Sequence, residues 1–169
     1  MRRVWDIFHP PKPEVAATFA VPDDWQTAIL GPELYGNPTI AHERQQLLNG
    51  LLVGEPAATL LVGLLLVFRA ATAETMPMLL RDLGEAYYRW QPQNTNRQCD
   101  MEKFLAVWLS GTCYKAGTAN TIELVHPGER FDSARHYAPK PGVEVTQVLG
   151  WIVLRKNGKV YSKARVAVK

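Results

Sequence analysis

Three side chains in this sequence could supply a nucleophile, its base and an orienting group. Asp132 and His136 lie four residues apart, and Cys113 could join them as the nucleophile. Such a set is a minimum for covalent catalysis. The structural alternative is an Asp that bonds to its own backbone in a turn and a His that packs at a sheet edge. We favour the structural alternative and predict no catalytic residues.

No other group of side chains has the spacing of a catalytic or metal site. The histidines are scattered, at His9, His42, His126 and His136. The motifs of serine hydrolases, P-loop proteins, dinucleotide-binding folds and zinc proteases are absent. Cys99 and Cys113 are too few for a disulfide scaffold and lack metal-ligand spacing. We therefore expect a non-enzymatic protein of the reducing cytoplasm, without metal or cofactor.

Charge is distributed unevenly along the 169 residues. Residues 121–169 contain nine Lys and Arg against four Asp and Glu, a net charge of +5, whereas residues 1–120 contain ten against twelve, a net charge of −2. A basic segment favours an acidic protein surface or nucleic acid as its partner. The alternative is an ordinary solvated strand face.

The C-terminal segment has the pattern of β-structure. Residues 143–154 are rich in Val, Ile, Leu and Trp, which suit a pleated sheet. Asn157 and Gly158 follow, and this pair favours a type I′ turn because both central residues of that turn need φ > 0. Apolar residues then alternate with polar ones over 160–168. With a further strand at 121–125, this pattern predicts a small antiparallel sheet with a long final hairpin.

Residues 38–117 have the pattern of four helices. Asn37 can cap the first helix and Gly54 can end it. Pro56 opens the second, which is apolar on nearly every side and therefore typical of a helix at the centre of a bundle. Two more amphipathic stretches follow before Gly117.

The first 37 residues differ in kind from the rest. Six of the twelve prolines lie within the first forty residues, which is incompatible with regular structure throughout. Large apolar residues are nevertheless spread through this segment, at Trp5, Phe8, Phe19, Trp25 and Leu34. We expect an irregular arm that packs along the body or onto a partner subunit.

An apolar stretch at residues 47–73 raises the question of a membrane span. Glu55 and Pro56 interrupt it, and the uninterrupted part, 56–68, is shorter than the roughly 20 residues that cross a bilayer. No apolar segment follows Arg2 and Arg3, so we do not expect a signal peptide. We expect no membrane association.

The C-terminal segment also carries a sequence motif. From Gly128 it reads G-E-R-F-D-S-A-R-H-Y-A, and from Gly158 it reads G-K-V-Y-S-K-A-R-V-A-V. This segment, about a quarter of the chain, resembles the C-terminal β-domain of GrpE, the nucleotide-exchange factor of DnaK-type chaperones. The residues at the family's spacing are Gly128, Phe131, Asp132, His136, Ala138, Gly150, Trp151, Gly158, Val160, Ala164, Val166 and Val168.

The resemblance implies a docking surface. In such a mechanism the β-domain contacts the nucleotide-binding domain of the chaperone and favours its open state, which lowers nucleotide affinity. The partner-binding residues are then exposed ones of the β-domain, together with the basic residues of the hairpin. The candidates are Arg130, Arg135, Trp151, Arg155, Lys156, Tyr161, Lys163 and Arg165.

Departures from the family pattern leave other functions open. A Pro-rich arm stands where the family has a long charged helix, and Lys163 replaces the proline before the last family alanine. One alternative is an adaptor or scaffold subunit that keeps the fold with a different partner. Another is nucleic-acid binding through the basic hairpin, although few aromatic residues are interleaved with its cations.

These patterns together predict an α+β protein in three parts. They are an irregular N-terminal arm at 1–37, a four-helix bundle at 38–117 and a GrpE-like, mostly antiparallel β-domain at 118–169. The helices could complete the bundle within one chain or pair in a homodimer.

Overall fold

The computed structural model describes residues 25–92 and 99–169, which form helices followed by two small sheets. The helices are α1 Trp25–Leu30, α2 Pro32–Tyr35, α3 Ala41–Leu52, α4 Pro56–Arg69, α5 Met76–Trp90 and α6 Asp100–Lys115, with a 3-10 turn at Pro38–Ile40. The strands are β1 Thr121–Glu123, β2 His136–Tyr137, β3 Val145–Val148, β4 Ile152–Leu154, β5 Val160–Ser162 and β6 Ala164–Val168. The predicted α+β class is confirmed.

Residues 25–35, predicted to belong to an irregular arm, are helical instead. They form α1 and α2, and Leu30 and Leu34 are fully buried. The Arg69 side chain at the end of α4 donates to the backbone carbonyls of Ala28 and Ile29. Burial of these apolar groups outweighs the breaking effect of Pro32, which sits in the first turn of α2 where no N–H is needed. The rest of the predicted arm, residues 1–24, lies outside the described residues.

The predicted starts and ends of the central helices agree with their backbone geometry. The Asn37 side chain accepts a hydrogen bond from the Thr39 amide at 2.9 Å and so caps the 3-10 turn that leads into α3. Gly54 ends α3 with a φ of +72°, and Pro56 then opens α4.

The packing of the helices does not confirm a self-contained four-helix bundle. α4 contacts α3 and α5, whereas α6 lies mainly against β1 and the 3-10 turn. The predicted central position of α4 is wrong, because Leu60 is 39% exposed and Val67 is 54% exposed. Only one face of α4 is buried, that of Leu61, Leu65 and Phe68.

The apolar stretch that raised the membrane question falls on two helices. Within residues 25–92 and 99–169, no single helix is long and apolar enough to cross a bilayer. The pair Pro38–Leu52 and Pro56–Arg69 meets the requirements of length and composition only together, and the chain bends by 107° between them.

The predicted long final hairpin is present, but it belongs to two sheets. β1, β4 and β5 form one antiparallel sheet, and β6 lies between β2 and β3 in the other, parallel to β2. Val148 pairs with Val166, and Val153 pairs with Ser162, so the same two arms run through both sheets. One arm passes from one sheet to the other at Gly150 and Trp151, and the other arm does so at Lys163.

The hairpin turn differs from the predicted type I′ turn. Gly158 has a φ of +74°, but Ala119 is the one non-glycine residue with positive φ in the described part of the chain. Asn157 therefore lacks the positive φ that a type I′ turn demands. The Gly158 amide donates to the Arg155 carbonyl at 2.8 Å. The result is a three-residue loop that ends in a left-handed glycine, which suits the twist of a hairpin equally well.

Candidate functional site

The eight predicted partner-binding residues do not form one surface. Trp151 is 1% exposed and lies in the core, so its assignment to a docking surface is wrong. Arg135 is partly buried, and the remaining six are exposed: Arg130, Arg155, Lys156, Tyr161, Lys163 and Arg165. Of these six, three line a cavity at the tip of the hairpin, Lys163 and Arg165 contact other parts of the chain, and Arg130 lies outside the cavity lining.

Trp151 is buried because it joins the hairpin to α5. Its indole N–H donates to the Leu80 carbonyl at 2.8 Å, and its ring stacks on Tyr87 with centroids 6.2 Å apart. Gly84 supplies the space, since a Cβ built at that position would lie 2.8 Å from the indole ring. The residue is therefore an anchor between the helical part and the β-part of the protein.

Three of the predicted residues do converge on one cavity. Arg155, Lys156 and Tyr161 line an open cavity of about 650 Å³ between the hairpin tip and the start of α5. The other lining residues are Pro77, Thr118, Asn120 and Asn157. None of the seven is acidic, so the two cations give the cavity a positive potential.

The cations at this cavity differ in how firmly they are held. The Arg155 guanidinium lies 5.4 Å from the centroid of the Tyr161 ring, in the range of a cation–π contact. This contact orients the guanidinium and uses none of its N–H donors. Lys156 follows in the turn, exposed, and its ammonium has no ion pair or hydrogen bond with the described residues. Since no acidic group among the described residues engages either cation, both can receive an anion.

Three other predicted cations are already engaged within the protein. Arg135 forms an ion pair with Glu123, and Arg165 forms one with Glu85 at 3.2 Å. The Lys163 ammonium donates to the Ser133 carbonyl at 2.6 Å. Such exposed contacts are weak and can exchange for contacts with a partner.

Sequence reasoning missed that α5 lies beside the hairpin and adds to this surface. Arg89 and Glu85 of α5 line a smaller cavity of about 230 Å³ with Leu149 and Arg165. Arg81, one turn earlier on α5, is paired with Asp82 at 2.7 Å. The helical pattern of residues 76–90 predicts an exposed face there, but only the docking of Trp151 places that face next to the hairpin.

The nucleophile, base and orienting group considered from the sequence are instead parts of the fold. The Asp132 carboxylate accepts from the Ala134 amide at 2.8 Å, as expected of an Asp in a turn. The buried His136 accepts at Nδ1 from the Asp132 amide at 3.2 Å. Cys113 is fully buried in α6, and burial raises the pKa of its thiol, which disfavours the nucleophilic thiolate.

The buried His136 predicts a dependence of stability on pH. Burial lowers the pKa of His136 below its ordinary value, with Arg135 acting in the same direction and Glu129 and Asp132 opposing. The unfolded chain therefore binds a proton at higher pH than the folded one. Stability should therefore be greatest above about pH 6.5, near the pKa of the unfolded side chain, and should fall as the pH decreases below that value.

A His136→Asn variant checks this dependence by chemical denaturation across that pH range. The Asn side-chain oxygen can still accept from the Asp132 amide, but the side chain does not titrate. The variant should therefore show a flatter pH profile than the wild type. Equal slopes in the two proteins would assign the effect to other groups.

A partly buried polar cluster joins α5 to residues of α3 and α6. The Tyr88 hydroxyl donates to the fully buried Glu102, and the Cys99 thiol donates to Glu43 at 3.1 Å. Burial raises the pKa of Tyr88, so its hydroxyl stays protonated and serves as a donor. In residues 25–92 and 99–169, no group of three or more His, Cys, Asp or Glu residues is arranged to hold a metal ion.

Comparisons with known proteins add no relative to this picture. No protein-family model, curated protein or solved structure matches the chain. The site that the structure defines is an exposed, basic hairpin beside an open cavity, anchored to a helical body through Trp151.

Proposed function

We propose that this protein is a non-enzymatic interaction module that docks on an acidic surface of a partner protein through its final hairpin. One observation carries the proposal: the cavity at the hairpin tip presents Arg155 and Lys156 without an acidic lining residue. Arg and Tyr are frequent anchors of protein interfaces. Tyr161 is 41% exposed beside Arg155 and supplies apolar area for such a contact.

The GrpE-like form of this proposal is supported by the places that the motif residues occupy. Gly128 and Gly158 have φ values of +93° and +74°, in turns that favour glycine. Ala164 and Val166 are fully buried in β6. These four motif residues thus have structural roles, which is what a shared β-domain would require.

In this form, the partner is the nucleotide-binding domain of a DnaK-type chaperone. The hairpin would bind the open state of that domain more tightly than its closed state. Tighter binding to the open state shifts the domain toward that state and so lowers its affinity for nucleotide. If the hairpin bound both states equally, the equilibrium between them would not change. In this mechanism the hairpin supplies positive charge and a rigid docking surface, and no covalent bond is made or broken.

The test is the rate at which labelled ADP leaves a purified DnaK-type chaperone from the same organism. We expect the protein to accelerate release, with an effect that weakens as salt rises because exposed charges are screened. Arg155→Glu combined with Lys156→Glu should abolish acceleration. Lys103→Glu combined with Lys140→Glu reverses two exposed cations outside the cavity lining, so it is the matched control and should retain acceleration.

Two other outcomes would redirect the proposal. Binding to the chaperone without faster ADP release would leave an adaptor that uses the same surface. Binding to duplex DNA that falls steeply with salt, without chaperone binding, would contradict protein docking and favour phosphate contacts by the hairpin.

A further inference from the structure

The cavity at the hairpin tip has the build of a specific subsite. Its rear wall is rigid, since Asn120 is 5% exposed and its amide donates to the Leu154 carbonyl at 3.0 Å. Thr118 is held by bonds from its amide and its hydroxyl to the Cys113 carbonyl. Thr118 and Asn120 therefore hold the shape of this part of the cavity, whereas Arg155 and Lys156 supply its exposed charges.

Backbone conformation sets this wall apart from the rest of the described chain. Ala119, between the two lining residues Thr118 and Asn120, has a φ of +52°, which a residue with a Cβ rarely adopts. Strain of this kind persists where the surroundings fix the backbone, and it concentrates at binding sites. The strained residue and the two free cations thus lie at the same cavity.

The chemistry of the lining defines what the cavity can hold. Arg155 offers a planar fork of N–H donors that matches a carboxylate, and its position is fixed by Tyr161. Lys156 adds a second positive charge at the lip, and Asn157 an amide. Pro77 and the Tyr161 ring supply the apolar part of the lining.

From this arrangement we infer that the cavity receives an acidic side chain of the docking partner, with an adjacent apolar side chain against Tyr161 and Pro77. The inference rests on the proposed docking function and names the group that the hairpin recognises. Arg155 binds the carboxylate through two N–H groups, and Lys156 neutralises it. The partner segment is therefore one in which acidic and apolar residues adjoin.

The test uses a short peptide of alternating glutamate and leucine, blocked at both ends, and the full-length protein labelled with ¹⁵N. Titration should shift the amide signals of Thr118, Asn120, Lys156 and Tyr161. A peptide in which glutamine replaces glutamate should bind about tenfold more weakly or worse, because it offers no charge-assisted bond. Shifts confined to other residues, or equal binding of both peptides, would overturn the inference.

Variants separate the cavity from general attraction by a basic protein. Arg155→Gln combined with Lys156→Gln should weaken the glutamate peptide about tenfold or more. Lys103→Gln with Lys140→Gln removes the same charge from exposed positions outside the cavity lining and should change binding by less than about twofold. Tyr161→Ala should weaken the peptide, and Tyr161→Phe should not. Phenyl phosphate is the competing probe, and tighter binding of it at the cavity would contradict a carboxylate ligand.

Failure of this inference can be told apart from failure of the proposed function. If reversal of Arg155 and Lys156 abolishes the acceleration of ADP release but the peptide does not enter the cavity, docking stands and the subsite inference is wrong. If the peptide binds in the cavity but no chaperone binding or exchange occurs, the subsite stands and the chaperone partner is wrong.

Discussion

Replacing Trp151 with alanine should destabilise the protein by about 3–5 kcal/mol, the largest effect that we expect from a single change in the C-terminal part. The indole is 1% exposed, stacks on Tyr87 and donates its N–H to the Leu80 carbonyl. Truncation removes this packing and the indole hydrogen bond, and it leaves a cavity between α5 and the hairpin. Urea denaturation followed by circular dichroism measures the loss.

Matched variants separate burial from the loss of an aromatic group as such. Tyr161→Ala removes a large aromatic residue from the surface of the same hairpin and should cost much less, because Tyr161 is 41% exposed. Trp151→Phe keeps most of the ring packing but loses the hydrogen bond, and it should fall between. Equal stability of Trp151→Ala and the wild type would mean that the indole lies at the surface in solution.

Gly84→Ala should also destabilise the protein, although alanine is the better helix former. In an exposed helix interior, the change normally stabilises by roughly 0.5–1 kcal/mol because glycine loses more backbone entropy on folding. At Gly84 the new methyl would lie 2.8 Å from the Trp151 indole, closer than packed atoms tolerate. Overpacking of this kind costs about 1–3 kcal/mol, so the sign reverses.

Two further variants test the cause of that reversal. Gly63 lies in α4, where an added Cβ would meet no heavy atom within 4 Å, and Gly63→Ala should therefore stabilise. Combining Gly84→Ala with Trp151→Ala should cost less than the sum of the two single changes, because the methyl then occupies space that the indole has left. Strict additivity would contradict the close contact.

The positions of the elements were predictable where one residue determines the local backbone. Asn37, Pro56 and Gly54 act within their own turn, through a cap, a fixed φ and a left-handed conformation. The turn at Gly158 was located for the same reason. The type of this turn was not predicted correctly, because Asn157 tolerates both the predicted and the observed conformations. The register of the hairpin arms decides between them.

Predictions about which side faces the core succeeded only in part. The alternation in β6 correctly placed Ala164 and Val166 inside. The apolar composition of α4 wrongly indicated complete burial, since composition does not say how many neighbours a helix has. Trp151 was assigned to the surface by analogy with a docking residue, whereas its large apolar area favours burial wherever the fold offers a site.

The sequence by itself determined the class of the fold, the ends of α3 and the start of α4, the long final hairpin and the concentration of positive charge upon it. These depend on local backbone preferences and on periodicity. Only the tertiary structure decided that the hairpin divides between two sheets, that Trp151 fills the space at Gly84, and that Arg155, Lys156 and Tyr161 meet Pro77 at one cavity. The reason is physical: these are contacts between residues distant in sequence, and they form when α5 and the hairpin bury their apolar surfaces against each other.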